Sequence, residues 1–265
     1  MRKKMGNGEK KRKKRSRKIG FEDKLSITDH LEELRWRLII ICVAIGSGFL
    51  ICYIFKDPLL RLIQRPLPEK YQELTFIEPA EALVVSLKVS FFAGLIISLP
   101  VVIYQIWNFV APGLVKKERR YTLPFVISAT ILFLIGVVFA YFVILPVGIK
   151  FLMLFGAKYW KPSITVGNYL SFSLKLMLAS GIIFELPLIV TFLSILGIVT
   201  PKQLSKNRKY VILLCFIIGA IFTPGPDPFS QTLMAIPLIL LFEISIISAK
   251  IFGKKKDRKE GEEDV

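Results

Sequence analysis

Residues 30–38, HLEELRWRL, place Glu32, Glu33, Arg35 and Arg37 immediately before the first long apolar run of the chain. If this stretch is helical, Glu33 and Arg37 form an i,i+4 pair worth about 0.2–0.5 kcal/mol. Another acid, Glu118, sits in the basic turn KKERR at 116–120. Two carboxylates held near a membrane surface have a further use. Each can take a guanidinium in a bidentate grip that an ammonium cannot reproduce. Spacing alone leaves the ordinary ion pairs slightly ahead of this ligand reading. An isolated acid, Glu185 in FELP, lies deep in an apolar block and would cost roughly 3 kcal/mol if it faced lipid. It is expected to face a wet cavity or a partner, ahead of a protonated side chain or a hydrogen bond to a neighbouring helix as a purely structural contact.

Other chemistries lack their residues. The sequence contains no GxxxxGK[ST], HExxH or GxSxG pattern, so it supplies neither a nucleotide engine nor a hydrolase site, and no enzymatic activity is expected. The single histidine, His30, has no second imidazole or thiolate at ligand spacing, so neither metal nor cofactor is expected. Cys42, Cys52 and Cys215 lie in apolar blocks and read as small hydrophobes without disulfides.

The elements that must position these acids are membrane helices. The 265 residues are 53% apolar yet carry a net charge of +17, a pairing that requires segregation of the two. Uncharged or nearly uncharged blocks occupy 38–55, 83–110, 121–145, 166–199, 210–222 and 229–242. A helix of roughly 20 apolar residues crosses a hydrocarbon core, and inside lipid a helix satisfies its own backbone. The class is therefore an all-α polytopic membrane protein with six spans. Asp29 and Glu32 match a capping box, which places the first helix start at Ser26 to Asp29. Pro100 predicts a kink in the second span, and Pro146 ends the third. Runs five and six, at about 14 residues or ~21 Å each, are short for a bilayer and read as two short spans in preference to a re-entrant hairpin. Lys88 and Lys175, near the outer ends of their spans, are expected to snorkel to the interface.

Three parts follow: a basic disordered tail at 1–25, a membrane domain at 26–250 and a charged tail at 251–265. Segments 1–37, 111–120, 200–209 and 250–265 hold 28 of the 37 Lys and Arg, which puts both termini in the cytoplasm. The amino-terminal tail reads as topogenic in preference to a lipid- or nucleic-acid-binding arm, so no nucleic-acid partner is expected.

Four segments in order resemble the TatC family of the twin-arginine translocase. HLEELRWRL at 30–38 is similar to its amino-terminal signature, and YQIWNFVAPGLVKKERR at 104–120 to its segment after the second helix. FELP at 184–187 is similar to its fourth helix, and TPGPDPFSQTLMAIP at 223–237 to its last outer loop and sixth helix. The resemblance implies six transmembrane helices in a concave, glove-like arrangement, the last two short, in the cytoplasmic membrane. It implies a receptor for Arg-Arg signal peptides on folded precursor proteins, which assembles into an oligomeric complex with the single-span subunits TatA and, in many organisms, TatB, and draws on the proton-motive force. By matching position, Glu33 and Glu118 would engage the two arginines, with Arg35, Phe109, Pro112 and Arg119 shaping the site. Glu185 matches the acid of the concavity, Asp227 the outer-loop acid, and Thr223 with Gln231 the docking site for the single-span partners. The 1–24 tail is longer than the family's usual amino terminus. The alternative is a proton- or ion-coupled small-molecule transporter using Glu185. It predicts internal repeats and a polar lining at mid-membrane, and neither is visible in the sequence.

Overall fold

The structure is a computed structural model that describes residues 8–68, 71, 74–110, 122–157, 163–222 and 228–252, with side chains between His30 and Ile251. Helix α1 spans Gly8–Ile54. The expected start at Ser26–Asp29 is thus interior to it, and residues 8–25 are helical where irregular chain was the expectation. No proline interrupts this stretch, and its Lys, Arg and Glu are good helix formers, so the helix propagates outward from the membrane segment.

Helix α1 packs chiefly against α3 (Glu81–Val110), with the short amphipathic α2 (Lys56–Gln64) between them in sequence. The α1–α3 seam is built from small residues. A Cβ added at Gly48 would lie 2.6 Å from Ser98 Oγ and 2.7 Å from Gly94 O, and Ser98 Oγ donates to Ala44 O at 2.6 Å. Without a hydrophobic driving force in lipid, such close backbone approach is what holds two spans together.

The third span corrects one expectation. Helix α4 (Thr122–Phe139) continues through a π segment (Ala140–Ile144) into α5 (Leu145–Ala157), so Pro146 does not end it. A proline cannot donate to the preceding turn, and the wider π turn just before it accommodates the missing bond. By contrast, Pro187 does break the fourth span, into α6 (Val166–Phe184) and α7 (Leu186–Ile195), with Glu185 at the junction.

A capping box of Thr200 and Gln203 starts α8 (Pro201–Lys206), which leads to α9 (Arg208–Phe222) and α10 (Pro228–Phe252). The expectation that the last two helices are both short fails for the second. Helix α9 has 15 residues, but α10 has 25 and, among the described residues, is one of five spans long and apolar enough to cross a bilayer. Glu243 does not stop α10 because Arg208 of α9 donates to it at 2.9 Å, so the acid enters the helix as one half of an ion pair.

Contacts fix which helix ends lie together. On the side where α1 enters, called here the terminal side, Trp107 of α3 meets Phe125 of α4 and Phe192 of α7, and Thr191 meets Ser248 of α10. On the far side, Thr75 and Thr165 form an isolated parallel bridge, and Phe151 stacks on Phe229 at 3.8 Å. Tyr141 and Tyr169 donate to Leu62 O and Ile63 O at the end of α2, where Leu62 O also accepts from Arg65 N at 3.2 Å. Glu81 ties the start of α3 to that of α6: its Oε1 accepts from Gly167 N at 2.6 Å and its Oε2 from Ile77 N at 2.8 Å. The core between α3, α4 and α6 is closed by Val89, Ser90, Ala140, Leu145, Leu170 and Ser173, each at most 1% exposed.

Candidate functional site

Glu33 lies on the face of α1 that meets the end of α3. Its Oε1 accepts from Arg37 Nε at 3.1 Å and from Arg37 Nη2, and its Oε2 lies 3.6 Å from His30 Nδ1. Arg37 also donates through Nη1 to Gln105 Oε1 of α3 at 3.2 Å. One turn further toward the tail, the His30 ring stacks on Phe109 at 4.3 Å, nearly parallel. The i,i+4 pair read from spacing is therefore present, but it is part of a wider cluster that joins α1 to α3. Its carboxylate is one-third exposed and so remains within reach of a ligand.

Arg35 is not part of this cluster. Two residues from Glu33, it points about 200° away around the helix and is exposed beside Leu31, Leu38 and Cys42. Pro112, Glu118 and Arg119 lie outside the described residues. Beneath the Glu33 cluster, Trp107 is 5% exposed, with its ring 3.8 Å from Phe125 and 4.6 Å from Phe192. This aromatic wedge fixes the ends of α3, α4 and α7 relative to one another and so sets where the Phe109 turn emerges.

Glu185 stands apart from these groups, at the α6–α7 break and ~15 Å along the axis from the end of α7. Proline at 187 withholds a backbone donor, and the chain turns there with Glu185 N bonded to Ile182 O at 3.1 Å. Its Oε1 is buried and has no hydrogen-bond partner among the described residues. A polar atom left in this state in a protein interior calls for water, a proton or a ligand group to satisfy it.

Gln231, near the start of α10, donates from Nε2 to Phe216 O of α9 at 2.9 Å, and its backbone oxygen would lie 2.9 Å from a Cβ at Gly219. It is thus already engaged in clasping the α9–α10 pair. Thr223 and Asp227 lie outside the described residues.

Sequence reasoning singled out Glu33, Phe109, Glu185 and Gln231 but not Gln105, Trp107 or the stacking role of His30. The available signal was positional. His30, Glu33 and Arg37 are spaced i, i+3 and i+7, and Gln105 and Phe109 are spaced i and i+4, two polar-aromatic faces at facing helix ends.

The sequence profile of TatC, the Sec-independent protein translocase protein, matches residues 29–237. The chain is 44% identical over 244 residues to a Sec-independent protein translocase protein TatC of Desulforapulum autotrophicum, covering 91% of this chain and 90% of that one. It is 42% identical to that of Aquifex aeolicus, covering 88% and 98%, and 38% identical to that of Escherichia coli K12, covering 91% and 95%. A crystal structure of the twin arginine translocase receptor TatC superposes with a TM-score of 0.75 at 42% identity, over 84% of this chain and 98% of that one. With these likenesses spanning the membrane helices and the Glu33 cluster alike, the chain belongs to the TatC family of Sec-independent protein translocase proteins.

Proposed function

We propose that this chain is the receptor and core subunit of a twin-arginine translocase. It binds Arg-Arg signal peptides of folded precursor proteins where its termini lie, and assembles with single-span subunits of the TatA type for export driven by the proton-motive force. The observation that carries the binding site is the Glu33 carboxylate, a third exposed at the membrane-entry end of α1 and set against His30 and Phe109 of the α1–α3 junction. A signal-peptide guanidinium takes the place of Arg37 on this carboxylate, and Phe109 offers an aromatic face beside it. Glu118 takes the second arginine, while Pro112 and Arg119 shape the turn and Arg35 holds the flank.

In this reading the terminal side is cytoplasmic, in keeping with the 28 Lys and Arg gathered there. The five long spans and short α9 form the six-helix, concave bundle of the cytoplasmic membrane, and Glu185 faces its concavity. Gln231 and Thr223 mark the docking site of the single-span partners, where a hydrogen bond selects a helix that apolar contact alone cannot. Asp227 belongs to the last outer loop. The protein is a binding and assembly subunit, without a catalytic centre of its own.

The test is equilibrium binding to the purified protein in lipid nanodiscs of a signal peptide bearing Arg-Arg and of the same peptide bearing Lys-Lys. Preference for Arg-Arg supports the reading, because charge is equal and only guanidinium geometry differs. Equal affinity would overturn it.

A further inference from the structure

Two lysines on the far side have no acidic partner among the described residues. Lys88 of α3 is exposed and donates from Nζ to Ser171 Oγ of α6 at 3.0 Å. Lys175 lies one turn along α6 from Ser171 on the same face, exposed while Ser173, Leu174, Leu176 and Met177 around it are buried. The two cations therefore share one seam, between α3 and α6, with a hydroxyl between them.

Their depth is defined. Lys88 and Gln105 are 17 positions apart on α3, or ~26 Å, with no charged residue in between. Lys175 is 20 positions from Ile195, ~30 Å along α6 and α7. Both spacings approach the ~30 Å of a hydrocarbon core, so with Gln105 and Ile195 at one boundary the lysines stand at the other. From that level two exposed or half-exposed apolar stripes run toward the bilayer centre: Leu87 and Phe91 on α3, Leu178 and Ile182 on α6.

The geometry points to a binding site for one anionic phospholipid at the α3–α6 seam, its phosphate held by Lys88, Lys175 and Ser171 and its acyl chains laid along the two stripes. Two ammoniums on one seam without an acidic partner among the described residues repel each other, and a phosphate between them relieves that repulsion while keeping both out of hydrocarbon. The apolar stripes distinguish a lipid from free phosphate, which shares the headgroup chemistry but has no use for them. The site is independent of what the terminal side binds.

The experiment is native mass spectrometry of the full chain with dioleoyl phosphatidylglycerol and dioleoyl phosphatidylcholine in competition. About fivefold preference per lysine gives roughly thirtyfold for the anionic lipid in the unmodified protein. Lys88→Gln with Lys175→Gln should erase most of it. Lys88→Arg with Lys175→Arg should keep it, as should Lys56→Gln with Lys150→Gln, a pair matched in charge and side but away from the seam. No preference in the unmodified protein, or the same preference in the seam double glutamine variant, would overturn the site. Loss of the preference in excess inorganic phosphate at fixed ionic strength would assign the seam to free phosphate instead. Unchanged lipid selectivity with loss of a co-purifying single-span protein would assign it to a helix carboxylate, and either result refutes the lipid site.

Discussion

Glu33→Gln keeps the shape of the side chain and removes its charge, so it isolates the step on which the proposed signal recognition rests. In the unbound protein Arg37 occupies Oε1, and the two side chains are about one-fifth and one-third exposed. An ion pair of that exposure contributes about 0.5 kcal/mol, and a peptide guanidinium must displace it. Hydrogen bonds to a charged group contribute about 1.5–3 kcal/mol. The difference, about 1–2.5 kcal/mol, corresponds to an Arg-Arg peptide bound between about fivefold and seventyfold more weakly by the variant. Titration of fluorescent peptides into nanodiscs at low salt measures it. The Lys-Lys peptide, which never had the bidentate contact, should change by less than about twofold. Arg37→Gln is the companion: it removes the internal competitor and should tighten Arg-Arg binding by up to about twofold. If Glu33→Gln weakens both peptides by one common factor, Glu33 acts through general charge or through folding, and the exchange argument fails.

Further outcomes follow from the packing. Gly48→Val drives a side chain into Ser98 Oγ and Gly94 O and should lower stability by about 1–3 kcal/mol or more, read as a fall in Tm in detergent. Glu185→Leu removes the buried, unpartnered Oε1 and should raise stability by about 1–3 kcal/mol while export of a reporter precursor falls; a loss of stability would mean the carboxylate is satisfied by bound water or lipid. Glu81→Gln weakens the clamp on Gly167 N and Ile77 N, so amide exchange at Thr75 and Gly167 should quicken while exchange at the α1–α3 seam stays unchanged. Gln231→Leu loses the bond to Phe216 O, costing about 1 kcal/mol, and should abolish co-purification of a single-span partner without altering peptide affinity.

The helical class and the Glu33–Arg37 pair were legible because both depend on local spacing, 20-residue apolar runs in one case and i,i+4 in the other. The boundaries that went astray depend on contacts between segments. The uncharged run 229–242 looks short because Glu243 follows it, until Arg208, 35 residues earlier, is seen to pair with that acid inside α10. Pro146 looks like a helix end until the π turn before it is known. The same limit hid Gln105 and the stacking of His30 on Phe109, which join residues 68 and 79 positions apart in the chain. Lys88 and Lys175 were legible singly, as snorkelling cations, but their convergence on Ser171 is a property of the α3–α6 packing.

The central claim, that Glu33 lies in a receptor site for paired arginines, is tested most directly by site-specific photocrosslinking in lipid. A photoreactive side chain at Leu34 reports on the site, and one at Leu233, beside Gln231, serves as the control. The account predicts capture of the Arg-Arg peptide at 34, little capture of the Lys-Lys peptide there, and none of either at 233. Equal capture of the two peptides at 34, or Arg-Arg capture at 233 alone, would contradict it.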